Sequence, residues 1–268
     1  MLSEISSFDE IGMVDLYGGE LGILPEDYWN DMIDLLNSYG IQDINLITNL
    51  SMVNDITKDE RVTTSVSYDF KAREDSHRVF RNMALLGKPF SVLMLASPAV
   101  VMQDVDEMVG MFNMLENLVS VEIKPYSKNQ ANQFNVTYSD YEKFVKKWIE
   151  NPNKKFELVN EHLLDTVLNK TRNAFSDDHI YITPNGKYGV LEFDLNDNEF
   201  FLEYETFEEY LVWCETERKR VSRNAFCSKC EYFGNCLSEH LRKVDSLENS
   251  CNGFKHLIDW YKNGRLES

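Results

Sequence analysis

None of the first 213 residues of this chain is a cysteine; all five lie between Cys214 and Cys251. Thiol chemistry and thiol-based metal binding are therefore confined to the C-terminal part. No apolar run approaches the ~18 residues that a membrane-spanning helix requires, so membrane insertion is not expected. The N-terminus, MLSEISSFDEIG, is acidic and polar, unlike a secretory or mitochondrial presequence. A disulfide framework is accordingly not expected, and the cytoplasm is the expected compartment. Positive charge is scarce: 27 Lys and Arg stand against 45 Asp and Glu, a net charge of −18. Such a surface repels phosphate backbones and disfavours non-specific nucleic-acid binding. The one basic run, ERKRVSR from Glu217 to Arg223, reads as the last turns of a helix, where cations complement the dipole. Neither a nucleotide P-loop nor a G-x-S-x-G elbow occurs.

What is present is ordinary hydrophobic content and abundant aromatics, with 16 Phe and 13 Tyr among 268 residues. At about 150 residues per domain this is one large domain or one and a half, able to bury a core. Short β-rich runs alternate with helical stretches. The strand candidates are Met13 to Glu20, Asp43 to Leu50, Arg61 to Phe70, FSVLMLASPAVV with Pro98 at its exit, and Leu118 to Tyr126. Between them Tyr28, Trp29, Met32, Ile33, Leu35 and Leu36 recur at helical spacing up to a C-cap at Gly40, and SHRVFRNMALLG ends likewise in Gly87. A Met- and Leu-rich helix covers Asp104 to Asn117, and the Met-rich stretch Met102 to Met114 reads as core rather than a binding groove. This order predicts an α/β fold of parallel βαβ units, with strands apolar nearly throughout and covered on both faces. Its chemistry belongs at the C-terminal strand ends, which read YGGE, ITN, SYD and KPY.

After Tyr126 the pattern changes. YSDYEKFVKKWIENP is an amphipathic helix stopped by Pro152, and Phe156 to Asn169 reads as another. HIYITPNGKYGVLEFD reads as a hairpin around Asn185 and Gly186. A helix, TFEEYLVWCETERKRV, then leads into the cysteines, with a domain boundary expected near Ser176. Cys227, Cys230, Cys236 and Cys251 follow the pattern C-x2-C-x5-C-x14-C. Four converging thiolates suit Zn²⁺ or an iron–sulfur cluster. Cys214, mid-helix among Leu211, Val212 and Trp213, reads as a buried thiol. His240, four residues after Cys236, either faces that site or lies on the surface.

These residues resemble the radical S-adenosylmethionine enzymes that carry a C-terminal SPASM extension, many of which modify peptides and proteins. Gly18-Gly19-Glu20 is similar to the family's GGE motif, Thr48 and Asn49 to its third strand end, and Ser67, Asp69 and Arg73 to its fourth. The resemblance implies a partial TIM-like (βα) barrel over residues 1–175. It implies a small cysteine-rich SPASM-like subdomain over 176–268. It also implies that the strand-end residues contact S-adenosylmethionine, and that Cys227, Cys230, Cys236 and Cys251 fill the ligand positions of the distal auxiliary 4Fe–4S cluster. The position of a proximal-cluster cysteine is taken by Leu191, five residues after Gly186, and that of another by His240, so the proximal cluster is expected to be lost.

The family's reactive cluster is held by C-x3-C-x2-C after the first barrel strand, and no such motif occurs here. Met1 to Ile11 resembles the helix that follows that loop. The first strand and loop are thus expected to be absent, and the chain to be inactive alone, binding S-adenosylmethionine productively only if the loop is supplied. The edge strand MVDLY then needs a cover: the Met1 to Ser7 segment, a second copy, or a complementing polypeptide. An intermolecular cover is the expectation. Three functions compete: the major part of a peptide-modifying radical enzyme, a non-catalytic peptide- or protein-binding module with a structural metal site, and a zinc-stapled protein of unrelated fold.

Overall fold

The computed structural model describes residues 1–70, 74–125, 136–175, 179–193, 199–237, 251 and 254–266. They form two compact units. One is Met1–Lys124 with Glu150–Val159; the other is Pro125–Ile149 with Asn160–Ser268.

The first unit is built on a six-stranded parallel sheet of β1 (Val14–Leu16), β2 (Ile44–Thr48), β3 (Thr63–Ser67), β4 (Phe90–Ala96), β5 (Leu118–Pro125) and β6 (Glu157–Leu158). Strands are added in sequence order, with Val14 beside Ile44, Asn45 beside Thr63 and Ser65 beside Ser91. Winding in one direction without reversal is the habit of a (βα) barrel; a doubly wound sheet reverses its order at a switch point. The α/β fold with a parallel, barrel-like sheet, expected from the sequence, is what the chain adopts.

Side chains alternate along each strand. Ile44, Leu46, Val66, Val92, Met94, Val121 and Ile123 are buried on one face. Between the strands run α2 (Glu26–Ser38), α3 (Asp55–Lys58), α4 (Ser76–Leu85), α5 (Pro98–Val101) and α6 (Val105–Phe112), after an N-terminal α1 (Leu2–Phe8). Trp29, Ile33 and Leu36 of α2 pack with Leu16, Ile44, Leu46, Ile56 and Val62. The end of α2 is set by Gly40, at φ 78°: its N–H donates to the Asn37 carbonyl and that of Ile41 to Leu36, the paired bonds of a Schellman stop.

The other face of the sheet corrects the expectation of an apolar run covered on both sides. Asp15, Asn45, Ser65, Ser91 and Ser120 lie on it as a polar row. The Asn45 amide donates to Asp15 (2.7 Å) and accepts from the hydroxyls of Ser65 (3.0 Å) and Thr63 (3.2 Å), while Ser120 donates to Ser91 (2.8 Å). Short polar side chains are affordable there because each is satisfied by a neighbouring strand.

Pro98 marks the exit of the fourth strand as expected: β4 stops at Ala96 and the proline opens the short α5. Two further expectations change. The helix expected from Phe156 starts at Val159, since Glu157 and Leu158 pair with Ser120 and Val121 as β6. Of the Met-rich stretch only Met108 is core; Met102 and Met114 are exposed.

The second unit holds α7 (Tyr138–Glu150), α8 (Val159–Leu168), an antiparallel sheet of β7 (Tyr181–Ile182), β8 (Tyr188–Phe193) and β9 (Glu199–Tyr204), then α9 (Phe207–Val221) and α10 (Lys255–Leu266). The hairpin falls where Asn185-Gly186 predicts it, with Gly186 at φ 72° donating to Thr183. β9 has no counterpart in the sequence reading. Thr206 caps α9 in a reciprocal box with Glu209. Cys214 is buried on that helix, as expected for a structural thiol. No helix among the described residues is long and apolar enough to cross a membrane.

Candidate functional site

The C-terminal ends of β1 and β2 are tied together by the residues that the sequence singles out. Gly18 and Gly19 follow β1 at φ 113° and 57°, where a side chain would be strained. They swing Glu20 back to cap a 3-10 turn, Leu21–Ile23, accepting from the Gly22 N–H (3.3 Å). The same carboxylate accepts from the Thr48 hydroxyl at 3.1 and 3.3 Å. Thr48, almost fully buried at the end of β2, also accepts from the Leu50 N–H (2.9 Å). Its hydroxyl thus has one proton and a fixed direction for it. Asn49 accepts from the Ser51 N–H (2.8 Å).

Two asparagines that the sequence reading missed complete the frame. Asn54 caps α3 in a reciprocal box with Thr57, and its amide donates to the Gly22 carbonyl (2.5 Å). A Cβ on Gly22 would sit 2.5 Å from that amide, so the close approach requires glycine. Asn82 on α4 donates to the Leu50 carbonyl (2.9 Å), holding the left-handed residue at φ 50° from the far side. The signal for Asn54 was legible as N-D-I-T ahead of a helix; Asn82 left none, because its partner is 32 residues distant.

At the end of β3, Asp69 accepts from the Leu95 N–H (3.0 Å) of β4. Phe70 turns into the left-handed region at φ 47°, which keeps its ring against Tyr68 and Phe112, both at 4.9 Å. Burial pushes the Tyr68 phenol up to about 12. Ser67 ends β3. Arg73 lies outside the described residues. Glu20 and Thr48 are therefore in contact, and Ser67 and Asp69 stand at the end of the adjacent strand.

The cysteines are gathered in the second unit. The Asn224 side chain accepts from the N–H groups of Phe226 (3.0 Å) and Cys227 (2.9 Å), opening a 3-10 turn, Cys227–Lys229. Gly234, at φ 81°, turns the chain toward Cys236. The preceding loop straps this segment in place: Ala174 donates to the Gly234 carbonyl (2.9 Å), Arg172 to the Cys236 carbonyl (3.1 Å), and Asn235 to the Arg172 carbonyl (2.5 Å). Cys227 is buried with Ala174 and Val221, flanked by Cys236 and three phenylalanines. Burial, and then the neighbouring Cys251 and Cys230, push its thiol up to about 11. Among the described residues, no three Cys, His, Asp or Glu converge at metal-ligating spacing. His240 lies outside the described residues. Leu191 is buried in β8.

Solved structures carry the same architecture. One, "Native anSMEcpe with bound AdoMet", matches all of this chain and 87% of its own, with a TM-score of 0.66 at 15% identity. The chain has the fold of anSMEcpe. That protein is a radical SAM/SPASM anaerobic sulfatase-maturating enzyme. anSMEcpe with bound AdoMet and Cp18Cys peptide matches all of the chain and 88% of its own (TM-score 0.65, 15% identity). With Kp18Cys peptide the shares are 99% and 87% (TM-score 0.63, 14% identity). No family model and no curated protein matches the sequence.

Proposed function

We propose that this chain is a radical SAM/SPASM-like iron–sulfur protein related to peptide- and protein-modifying radical enzymes. The observation that carries it is full-length agreement in fold with anSMEcpe, a protein solved with AdoMet and with peptides bound. In this reading the mouth built by Gly18, Gly19, Glu20, Thr48 and Asn49, with Ser67 and Asp69 at the end of the adjacent strand, takes S-adenosylmethionine; Arg73, outside the described residues, joins the set by the resemblance alone. Glu20 accepts from the ligand's amino group, and Thr48 fixes the direction of that carboxylate. A division at 175/176, barrel before and SPASM-like subdomain after, belongs to the same reading.

Cys227, Cys230, Cys236 and Cys251 would hold one auxiliary 4Fe–4S cluster, or zinc in its place. Such a cluster transfers single electrons when bound. The chain's own contribution is to bury Cys227, to strap Cys236 through Arg172 and to exclude water with Phe175, Phe226 and Phe233. No C-x3-C-x2-C occurs in these 268 residues. That observation favours a second reading, in which this polypeptide alone binds peptide or protein without chemistry. A segment bearing that motif, upstream or on a complementing polypeptide at the outer edge of β1, would restore the reaction. The Met1 to Ser7 segment is helical from Leu2, so it is unsuited to cover that edge as a strand. A cytoplasmic setting fits a cluster that oxygen and oxidising compartments would threaten.

Anaerobic purification followed by iron, sulfide and zinc analysis tests the metal. About four iron and four sulfide per chain are expected. Neither iron nor zinc, with four titratable thiols, would overturn it. Calorimetry with S-adenosylmethionine, with a C-x3-C-x2-C segment supplied, separates the two halves of the reading: Glu20→Ala should abolish binding to the barrel and leave the content of metal at the four C-terminal cysteines unchanged.

A further inference from the structure

The middle and outer strands of the small sheet differ in how they are covered. On β8, Tyr188, Val190 and Leu191 are 1%, 5% and 5% exposed. On β9, Phe200, Phe201 and Leu202 remain 43%, 37% and 38% exposed. Leu202 lies opposite Val190 and Phe201 opposite Leu191, so neighbouring residues present apolar groups on both faces of the outer strand. Among the described residues no strand pairs with the outer edge of β9. Proteins blunt such edges with proline, lysine or a bulge; the sequence EFFLEY has neither proline nor lysine, and its six pairs with β8 run without a break. The edge is also acidic. Glu203 and Glu205 share Lys187, at 3.8 and 2.6 Å, yet the Glu205 side chain stays 71% exposed. Glu208 and Glu209 follow in the first turn of α9.

We propose that the outer edge of β9 is a docking strand for an extended polypeptide segment that combines apolar residues with Lys or Arg. Such a segment would add to the sheet by main-chain hydrogen bonds. It would cover Phe200, Phe201 and Leu202 as β9 covers β8, and its cations would meet Glu203 and Glu205. A second copy of this chain suits the edge less well, because each copy carries a net charge of −18. The inference stands apart from the cysteine site: a chain that bound no metal would keep it.

The test is fluorescence anisotropy of a labelled octapeptide of alternating valine and lysine, titrated with the full chain. Binding is expected, weakening as salt rises. Methylating alternate backbone nitrogens of the peptide, or exchanging its lysines for glutamates, should weaken it at least about tenfold. Phe200→Lys with Leu202→Lys should do the same. Should that double variant unfold, Glu205→Lys, at an exposed position, gives the charge test alone. Equal binding of the methylated peptide would exclude strand addition, and equal binding of the glutamate peptide would exclude the charge match. Absence of binding by the valine–lysine peptide would also overturn the proposal. So would concentration-dependent dimers that Leu202→Lys abolishes, which would assign the edge to a second copy.

Discussion

Around β1 and β2, nine buried residues, from Leu16 to Val62, form a core of strand, helix and loop side chains. Among the described residues, the buried cluster that holds Cys227 adds only Ala174 and Val221. The first region has enough apolar area to hold itself together by burial. The second is held by backbone straps from Arg172 and Ala174, with Cys227 buried and Cys230, Cys236 and Cys251 partly exposed. One region is held by side-chain burial; the other leans on main-chain hydrogen bonds. The difference predicts that damage to each should stay local.

The sharpest way to break that contrast is Cys230→Ala. Removing one ligand should release the metal and loosen residues 221–237 by on the order of 3 kcal/mol in hydrogen exchange, with the parallel sheet unchanged. Equal loosening of both regions would contradict the division. The reciprocal variant is Leu46→Ala, at a fully buried site. It should cost about 3 kcal/mol in chemical denaturation and leave metal content at the wild-type level.

Lys88 offers a pH-resolved version. It is 5% exposed, and its ammonium donates to the carbonyls of Asp59 (2.6 Å) and Val62 (2.7 Å), pinning the entry of β3 to that of β4. Burial holds its pKa below the ordinary 10.5, against smaller opposing effects of Glu60 and Asp59. The unfolded chain therefore binds this proton more tightly than the folded one. Its contribution to stability rises with pH in the window just below 10.5 and is flat beneath the folded value. Lys88→Met should remove that rise and cost about 2 kcal/mol near neutrality, by taking the ammonium from the Val62 carbonyl and leaving the Asp59 carbonyl only the Val62 N–H (3.3 Å). Urea midpoints measured across the alkaline range check both. The smallest effect expected is about 1 kcal/mol for Thr206→Ala, which removes the N-cap of α9; thermal unfolding should register it in the second unit alone.

The parallel order was legible because each strand and helix carries its own period: INLIT and FSVLMLA between helices closed by Gly40 and Gly87. The sequence placed Glu20 and Thr48 at strand ends on one side of the sheet, but their meeting was not legible, since nothing local in YGGE or ITN says that they touch. The polar row escaped notice because Asn45, Ser91 and Ser120 each sit singly among apolar neighbours, Ser65 lies in a Thr- and Ser-rich run, and only the register aligns them. β6 was hidden for a similar reason. Glu157 and Leu158 look like a helix start until Ser120 and Val121, far back in the chain, claim them as a strand. β9 was missed because Phe200, Phe201 and Leu202 form an apolar run without alternation, and periodicity has no purchase on a strand exposed on both faces.

The approach of Asn54 to Gly22 has a thermodynamic meaning for whatever enters the barrel mouth. Two loops that would otherwise sample many conformations are clipped into one body before any ligand arrives. A ligand meeting Glu20 there finds the carboxylate already aimed, and little chain entropy remains to be lost on association. Gly22→Ala would push the clip apart without touching the ligand. Its signature would be a more unfavourable binding entropy rather than a lost contact.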